Sequence, residues 1–176
     1  MALLSLHLLG SPVLRQQSAE VTAFDDELRQ FIDDLFETMD AARGAGLAAN
    51  QVGVARRVAV VDSDGHRFAM VNPVIRLREG SVKGEEGCLS IPEMYADVTR
   101  ADRIVVDAFD RDGHPWSLEL SGYAARAVQH EIDHLDGILY IDHLSPLKRG
   151  LLLARYRKEN RGDGYIKVLK PTAAGG

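Results

Sequence analysis

The segment His130-Glu131-Ile132-Asp133-His134 reads HExxH. On a helix its two histidines stand at i and i+4, one above the other, so both rings can reach a single metal ion. Glu131 lies beside the first histidine, where a carboxylate can touch a metal-bound water without binding the metal. That arrangement is the working part of a hydrolase. The plainer account is a solvated polar helix face with two ordinary histidines, and the spacing favours the metal site over it.

A catalytic site of this kind takes three protein ligands and keeps one position open for water. Three residues compete for the third place. His143, in Asp142-His143-Leu144, and Glu159, among Arg157, Lys158 and Arg161, lie downstream. An exposed histidine and an exposed ion pair explain those two more simply. Cys88 lies upstream, in Glu85-Glu86-Gly87-Cys88-Leu89-Ser90-Ile91-Pro92. A lone cysteine is usually a small buried apolar side chain. A thiolate is nevertheless a strong ligand for a borderline divalent ion, and Gly87 leaves room for close approach. Glu86 has Arg100 as a cation to pair with instead of the metal. The residues by themselves leave the third ligand open.

The elements that must position these groups can be traced from periodicity. Phe24, Leu28, Phe31, Ile32, Leu35, Phe36 and Met39 recur at helical spacing, so a helix is expected from about Ala23 to Ala41, with Thr22 as N-cap and Arg43-Gly44 as its stop. The small-residue run Gly44 to Gly53 permits either the close approach of another chain or a tight connector, and it lacks the Lys-Ser/Thr ending of a phosphate loop. β-like runs follow over Arg57–Asp62, Arg67–Asn72, Val74–Arg78, Tyr95–Arg100, Ile104–Asp110 and Trp116–Leu120. Ser63-Asp64-Gly65-His66 and Asp112-Gly113 mark turns between them. A second helix, about Tyr123 to Leu135, carries HExxH. A third starts at Ser145-Pro146 and runs to about Lys158.

Short strands at close spacing favour antiparallel pairing. The expected class is therefore α+β: short, mostly antiparallel strands around a central helix that bears HExxH, with an N-terminal and a C-terminal helix. Residues 1–170 read as one catalytic metallohydrolase domain and 171–176 as a frayed tail. At 176 residues the chain is long enough for a substantial core, and 45% hydrophobic content is ordinary for a globular protein. No apolar run approaches a membrane span, so no membrane partner is expected. The first ten residues have neither a basic leader nor a cleavage pattern, so no secretory signal is expected. The single cysteine, Cys88, cannot form an internal disulfide, which suits a reducing, cytoplasmic location. The formal net charge of −5 hides an asymmetry: eight basic residues between Leu147 and Lys170 are opposed only by Glu159 and Asp163. A basic stretch of this kind can contact a polyanion or be a solvated helix face.

Three strings together carry a family resemblance. The chain resembles the peptide deformylases, which carry GxGLAAxQ, here Gly44 to Gln51; EGCLS, here Glu86 to Ser90; and QHExDHLxG, here Gln129 to Gly137. The strings stand in the family's order at compatible separations. Asn72-Pro73 and Leu144-Ser145-Pro146-Leu147 are also similar to the family, so the resemblance covers nearly the whole chain. Two small departures, Tyr95 where some members have arginine and Thr99 where proline is frequent, bear on the substrate groove and not on the reaction.

The resemblance implies that Cys88, His130 and His134 ligate one divalent metal, with Fe2+ native and Zn2+, Ni2+ or Co2+ able to replace it. It implies that Glu131 is general base and then acid, and that the Gln51 side chain and the Leu89 backbone N–H are oxyanion donors. Gly44, Ala45, Gly46, Glu86, Arg126 and Ala127 would border the substrate, an N-formylmethionyl nascent peptide that loses formate. The basic C-terminal helix would dock near the ribosomal tunnel exit, with Leu147, Leu151 and Leu152 turned to the domain. A chain ending after Asn160 is expected to keep its activity on short peptides. Two rival readings remain: a zincin-type peptidase using His143 or Glu159, and a non-catalytic ribosome-binding relative. The loss of Gln51, Cys88 or Glu131 expected of such a relative is absent.

Overall fold

The computed structural model describes residues 2–162 and 164–171. In chain order the elements are β1 (Leu6–His7), α1 (Asp26–Ala41), β2 (Gly46–Ala48), β3 (Val58–Ser63), β4 (His66–Glu79), β5 (Val82–Cys88), β6 (Ile91–Arg100), β7 (Arg103–Phe109), β8 (Pro115–Ser121), α2 (Gly122–Leu135), α3 (Pro146–Glu159) and β9 (Ile166–Lys167). Single 3-10 turns cover 12–15, 49–52 and 140–143. Five strands form one sheet in the order β2-β3-β4-β7-β8; β5 and β6 form a separate hairpin, and β1 pairs with β9. All these pairings are antiparallel. The α+β class with three helices and antiparallel sheets is the one expected. Of the expected frayed tail, Pro171 is exposed and residues 172–176 lie outside the described residues.

α1 starts later than the periodicity suggests. Asp25, not Thr22, is its N-cap, and the Asp25 carboxylate accepts the Leu28 N–H. Asp26 and Glu27 in the first turn face the positive helix end. Leu28, Ile32, Leu35 and Met39 form the buried stripe, packed with Leu47, Val58, Val60 and Val71 of the sheet. α2 packs on the other face: Ala124, Ala125, Val128, Ile132 and Leu135 meet Ala59, Val61, Met70, Ile104, Val106 and Leu120. The unbroken burial of Val58–Val61 along β3 reflects this sandwiching, whereas β7 alternates buried and partly exposed residues. α2 is also buried on its polar side, through Arg126, Gln129, His130, Glu131 and His134. That side faces the β5–β6 hairpin.

Three strands differ from the sequence expectations. The runs Arg67–Asn72 and Val74–Arg78 are one strand, β4, with its register against β7 shifted between Val71 and Val74. Asn72 stands at the break with φ +52. Its side chain accepts the Val21 N–H at 2.8 Å and donates to the Val21 carbonyl at 2.9 Å, replacing ladder bonds that the bulge and Pro73 interrupt. β5 is a strand outside the expected β-like runs. Its sequence VKGEEGC has two glycines and three charges, which hide the β signal. The glycines are there for contact: a Cβ on Gly84 would lie 3.1 Å from the Arg126 guanidinium, and one on Gly87 would lie 2.7 Å from the Tyr95 ring. The Gly44–Gly53 connector likewise contains β2.

α3 opens as expected, with Ser145 accepting the Lys148 N–H and Pro146 in the first turn. Of the three expected leucines it buries only Leu152. Leu147 and Leu151 are 73% and 64% exposed, and the helix touches the domain through Leu152 and Tyr156. Those two residues are one turn apart, so a single narrow line of contact sets the helix's rotation.

The Asn72 link is testable. Asn72→Ala removes both hydrogen bonds and puts a Cβ-bearing residue without a polar side chain at positive φ. The expected loss is roughly 1–3 kcal/mol of unfolding free energy, seen as a lower urea midpoint at unchanged slope. An unshifted midpoint would show that the bulge needs no side-chain bridge.

Candidate active site

The site is assembled from several elements. Cys88 ends β5. His130, Glu131 and His134 project from the buried polar side of α2. Gln51 sits on the 3-10 turn after β2, Leu89 in the β5–β6 turn, and Gly44, Ala45 and Gly46 on the link from α1 into β2. All of them except His134 line one cavity of about 560 Å³, together with Glu86, Arg126 and Ala127. His134 lies behind, fully covered.

The metal question turns on three donor atoms. The Nε2 atoms of His130 and His134 are 3.2 Å apart, and the Cys88 Sγ is 3.3 Å from His134 Nε2. One ligand atom from each of Cys88, His130 and His134 lies within 4.8 Å of the others. Two buried imidazole nitrogens facing each other and a thiol need a proton or a cation between them. A nitrogen–nitrogen–sulfur donor set of this kind suits a first-row divalent ion, so the residues present fit a metal. His143 and Glu159 are not part of the cluster. The His143 Nε2 lies 2.8 Å from Asp133 Oδ2, and Glu159 accepts from Arg155 on the surface of α3.

Behind the ligands lies a buried charge network. Glu86 accepts from Arg100 Nε at 2.8 Å and Nη2 at 2.9 Å, from Arg126 Nη1 at 2.6 Å, and from His130 Nδ1 at 2.9 Å. Arg100 also reaches Asp133, which holds His143. Arg126 donates to the carbonyls of Val82 and Val98 at 2.9 and 2.8 Å. Burial pushes the Glu86 carboxyl up, but Arg100 and His130 outweigh it and hold Glu86 well below the usual carboxylate range. The bond to His130 Nδ1 leaves Nε2 free to point at Cys88 and His134. Glu86 and Arg126 border the cavity as expected, but their charged ends are spent on each other and not turned to a ligand.

The two histidines sit at opposite extremes. Burial lowers both, yet the pull of Cys88 and Glu86 raises His130 well above its ordinary value, while His134, next to a charged His130, falls well below. Burial pushes Glu131 up to about 7, with His130 pulling against it. Its Oε1 has no hydrogen-bond partner, and neither has His134 Nδ1. Gly46 makes the space for that carboxylate: a Cβ there would stand 2.5 Å from Glu131 Oε2. Gln51 is oriented at both ends. Its Oε1 accepts the Ala48 N–H at 2.9 Å, and its Nε2 donates to Ser90 Oγ at 3.1 Å and lies 3.6 Å from Cys88 Sγ.

Four supporting residues escaped sequence reasoning. Ser90 fixes Gln51, Asn50 donates to the His134 carbonyl, Asp133 anchors Arg100, and Tyr140 stacks on His130 with ring centroids 6.1 Å apart. Each lies in or near a motif, yet a single sequence does not say which neighbour a polar side chain serves.

A sequence profile of the family described as Polypeptide deformylase matches residues 4–150. The chain belongs to the polypeptide deformylase family. A peptide deformylase of Alkalilimnicola ehrlichii is 49% identical over 172 residues, covering 96% of each chain. One of Brucella suis is 46% identical over 175 residues, covering 96% of this chain and all of the other. Among solved structures, a peptide deformylase from Legionella pneumophila superposes with a TM-score of 0.86 at 41% identity, covering 91% of this chain and 96% of that one. The Ehrlichia chaffeensis enzyme in complex with actinonin gives 0.86 at 36% identity, with 92% and 99% covered. The chain is thus an enzyme, a hydrolase of the peptide deformylase family, and this family is metal-dependent. No helix among the described residues is long and apolar enough to cross a membrane.

The Glu86 network yields a prediction independent of turnover. Glu86→Gln removes the charge that His130 Nδ1–H and two arginines share. Metal retention in chelator competition is expected to weaken roughly 10–100-fold, as for other groups behind metal ligands. Undiminished retention by a folded Glu86→Gln protein would remove Glu86 from that role.

Proposed function

We propose that residues 1–170 act as one catalytic domain that removes the formyl group from N-formylmethionyl nascent peptides, releasing formate. The observation that carries this reading is the convergence of Cys88, His130 and His134 beside an unpartnered Glu131 oxygen in a cavity floored by glycines. We assign the three converging side chains as metal ligands, with Fe2+ as the native ion and Zn2+, Ni2+ or Co2+ able to replace it. What the ion supplies is Lewis acidity: a water acidic enough to lose its proton near neutrality.

The remaining steps belong to the chain's own residues. Glu131 takes the water proton; its buried, raised carboxyl is suited to hold a proton near neutral pH. The water oxygen bonds to the formyl carbon, and negative charge gathers on the formyl oxygen. The second N–H of the Gln51 amide, whose first is held by Ser90, and the Leu89 backbone N–H receive that charge. Glu131 then returns the proton to the leaving nitrogen as the carbon–nitrogen bond breaks. Formate and a free amino terminus result. The backbone of Gly44, Ala45 and Gly46 lies along the cavity beside Glu131, where it can bond an extended substrate backbone. Ala127 and the apolar neighbours Leu89, Ile91 and Met94 line the same cavity and suit a methionine side chain. A formyl group is small, so a narrow, glycine-floored site admits it and turns away internal amides.

We further propose that α3 contacts the ribosome near the tunnel exit, in the cytoplasm. Arg155, Arg157 and Lys158 are exposed on it, and lysines and arginines on one helix suit phosphate contacts that weaken with salt. The exposed Leu147 and Leu151 belong to the contact face and not to the domain core.

Three measurements test these assignments. Glu131→Gln keeps the shape but cannot take a proton, so metal content should persist while turnover of a formyl-Met peptide falls roughly 10²–10⁴-fold. Parental turnover would require another base. Cys88→Ala should lose bound metal and activity together; stoichiometric metal with normal turnover would return the third place to another residue. Reversing charge at Arg155 and Lys158 should weaken co-sedimentation with ribosomes, and the parent's binding should fall steeply with salt. Unchanged binding would make the basic stretch a solvated helix face.

A further inference from the structure

The chain beyond α3 returns to the cavity. β9 pairs with β1 in the register Leu6↔Lys167 and His7↔Ile166, and Leu8 donates its N–H to the Tyr165 carbonyl at 2.7 Å. The Tyr165 ring covers Gly10 so closely that a Cβ there would meet it at 2.4 Å; Gly10 holds φ +104, where a side chain is disfavoured in any case. Leu169 packs against the core that contains Leu6, Leu8 and Leu47. Three independent contacts therefore tie residues 165–169 to the N-terminal edge of the domain.

The consequence is at the site. Lys167 and Leu169 line the same cavity as Cys88, His130 and Glu131, next to Leu6 and Arg43. Neither lies in the residues 4–150 that the family profile matches. A chain ending after Asn160 would lack both of these cavity-lining residues. Lys167 and Arg43 are exposed and make no ion pair among the described residues, in contrast to Arg126 in the same cavity, which is bound to Glu86. Glu85 and Glu93 line the cavity from the hairpin side. The mouth is thus polarised, with a free ammonium on the β9 side. A peptide whose first residue occupies the catalytic end must pass this mouth with its following residues.

We propose that β9 and the residues up to Leu169 form one wall of the peptide-binding cleft. There Lys167 meets substrate side chains downstream of the formylated methionine and favours acidic over basic ones. The proposal rests on the deformylase reading and deepens it. The interaction is that of an exposed ion pair, so the effect is modest in size and sensitive to salt.

The test uses the full chain loaded with metal. kcat/KM is measured for formyl-Met tetrapeptide amides carrying Glu or Lys at the second, third or fourth position. The Glu-to-Lys ratio should exceed one at a downstream position by roughly two- to fivefold, chiefly through KM, and should shrink as salt is raised. Lys167→Arg should keep the ratio, Lys167→Ala should bring it close to one, and Lys167→Glu should invert it. Circular dichroism of each variant verifies the fold, which an exposed side chain leaves intact. A parent ratio of one at every position, or an unchanged ratio in Lys167→Glu, overturns the proposal. Failure of the parent to deformylate any of these peptides overturns the deformylase reading instead.

Discussion

The carboxylate of Glu86 is the point on which the site depends. It is buried, and it accepts hydrogen bonds from Arg100, Arg126 and His130 at once. Removing a carboxylate from water is costly, and here charge-assisted bonds from three sides offset that cost. Because the three donors come from β6 and α2 while Glu86 belongs to β5, the same interaction that satisfies the charge also clamps the hairpin to the helix. Cys88 lies two residues from Glu86 on β5, and His134 lies one helical turn from His130. Clamping Glu86 to His130 therefore brings the thiol and the two imidazoles together.

This constraint explains an unusual helix. α2 is buried on both its apolar and its polar sides. The apolar side supplies hydrophobic driving force against the five-stranded sheet. The polar side would be destabilising if left unpaired, and the hairpin supplies the partners: Val82 and Val98 carbonyls for Arg126, the Ala101 backbone for Gln129, Glu86 for His130. Glu131 Oε1 and His134 Nδ1 are left without partners. In a helix otherwise so well satisfied, this unpartnered oxygen of a cavity-lining carboxylate fits the base role proposed for Glu131. Gly46 keeps its space open, since any side chain there would collide with it.

The contacts proposed for α3 and for Lys167 sit on less extensively packed parts around this centre. α3 is held by Leu152 and Tyr156 alone among its buried residues, and the segment after it is held by a two-residue strand pair and by Leu169. These parts add little to the core. Their charges, Arg155, Lys158 and Lys167, are exposed, where they can meet other molecules without a desolvation penalty within the fold.

Periodicity and motif spacing were enough to determine the α+β class, the α1 and α2 stripes, the turns at Asp64-Gly65 and Asp112-Gly113, and the family. They sufficed because each is a local property: side chains at i and i+4 share a helix face, and positive φ selects glycine and its neighbours. The resemblance also pointed to Cys88 where the bare residues left Cys88, His143 and Glu159 open, and the structure brings Cys88 together with His130 and His134. Only the tertiary structure decided that β5 is a strand, because its glycines answer to Tyr95 across the hairpin and to Arg126, which lies far along the chain. The same holds for the leucines of α3, since a helix cannot know from its own sequence which line of contact its neighbour will offer. It holds most of all for Lys167 and Leu169. Their place at the cavity depends on a β-pairing between the two ends of the chain, and a contact of that range leaves no pattern in the local sequence.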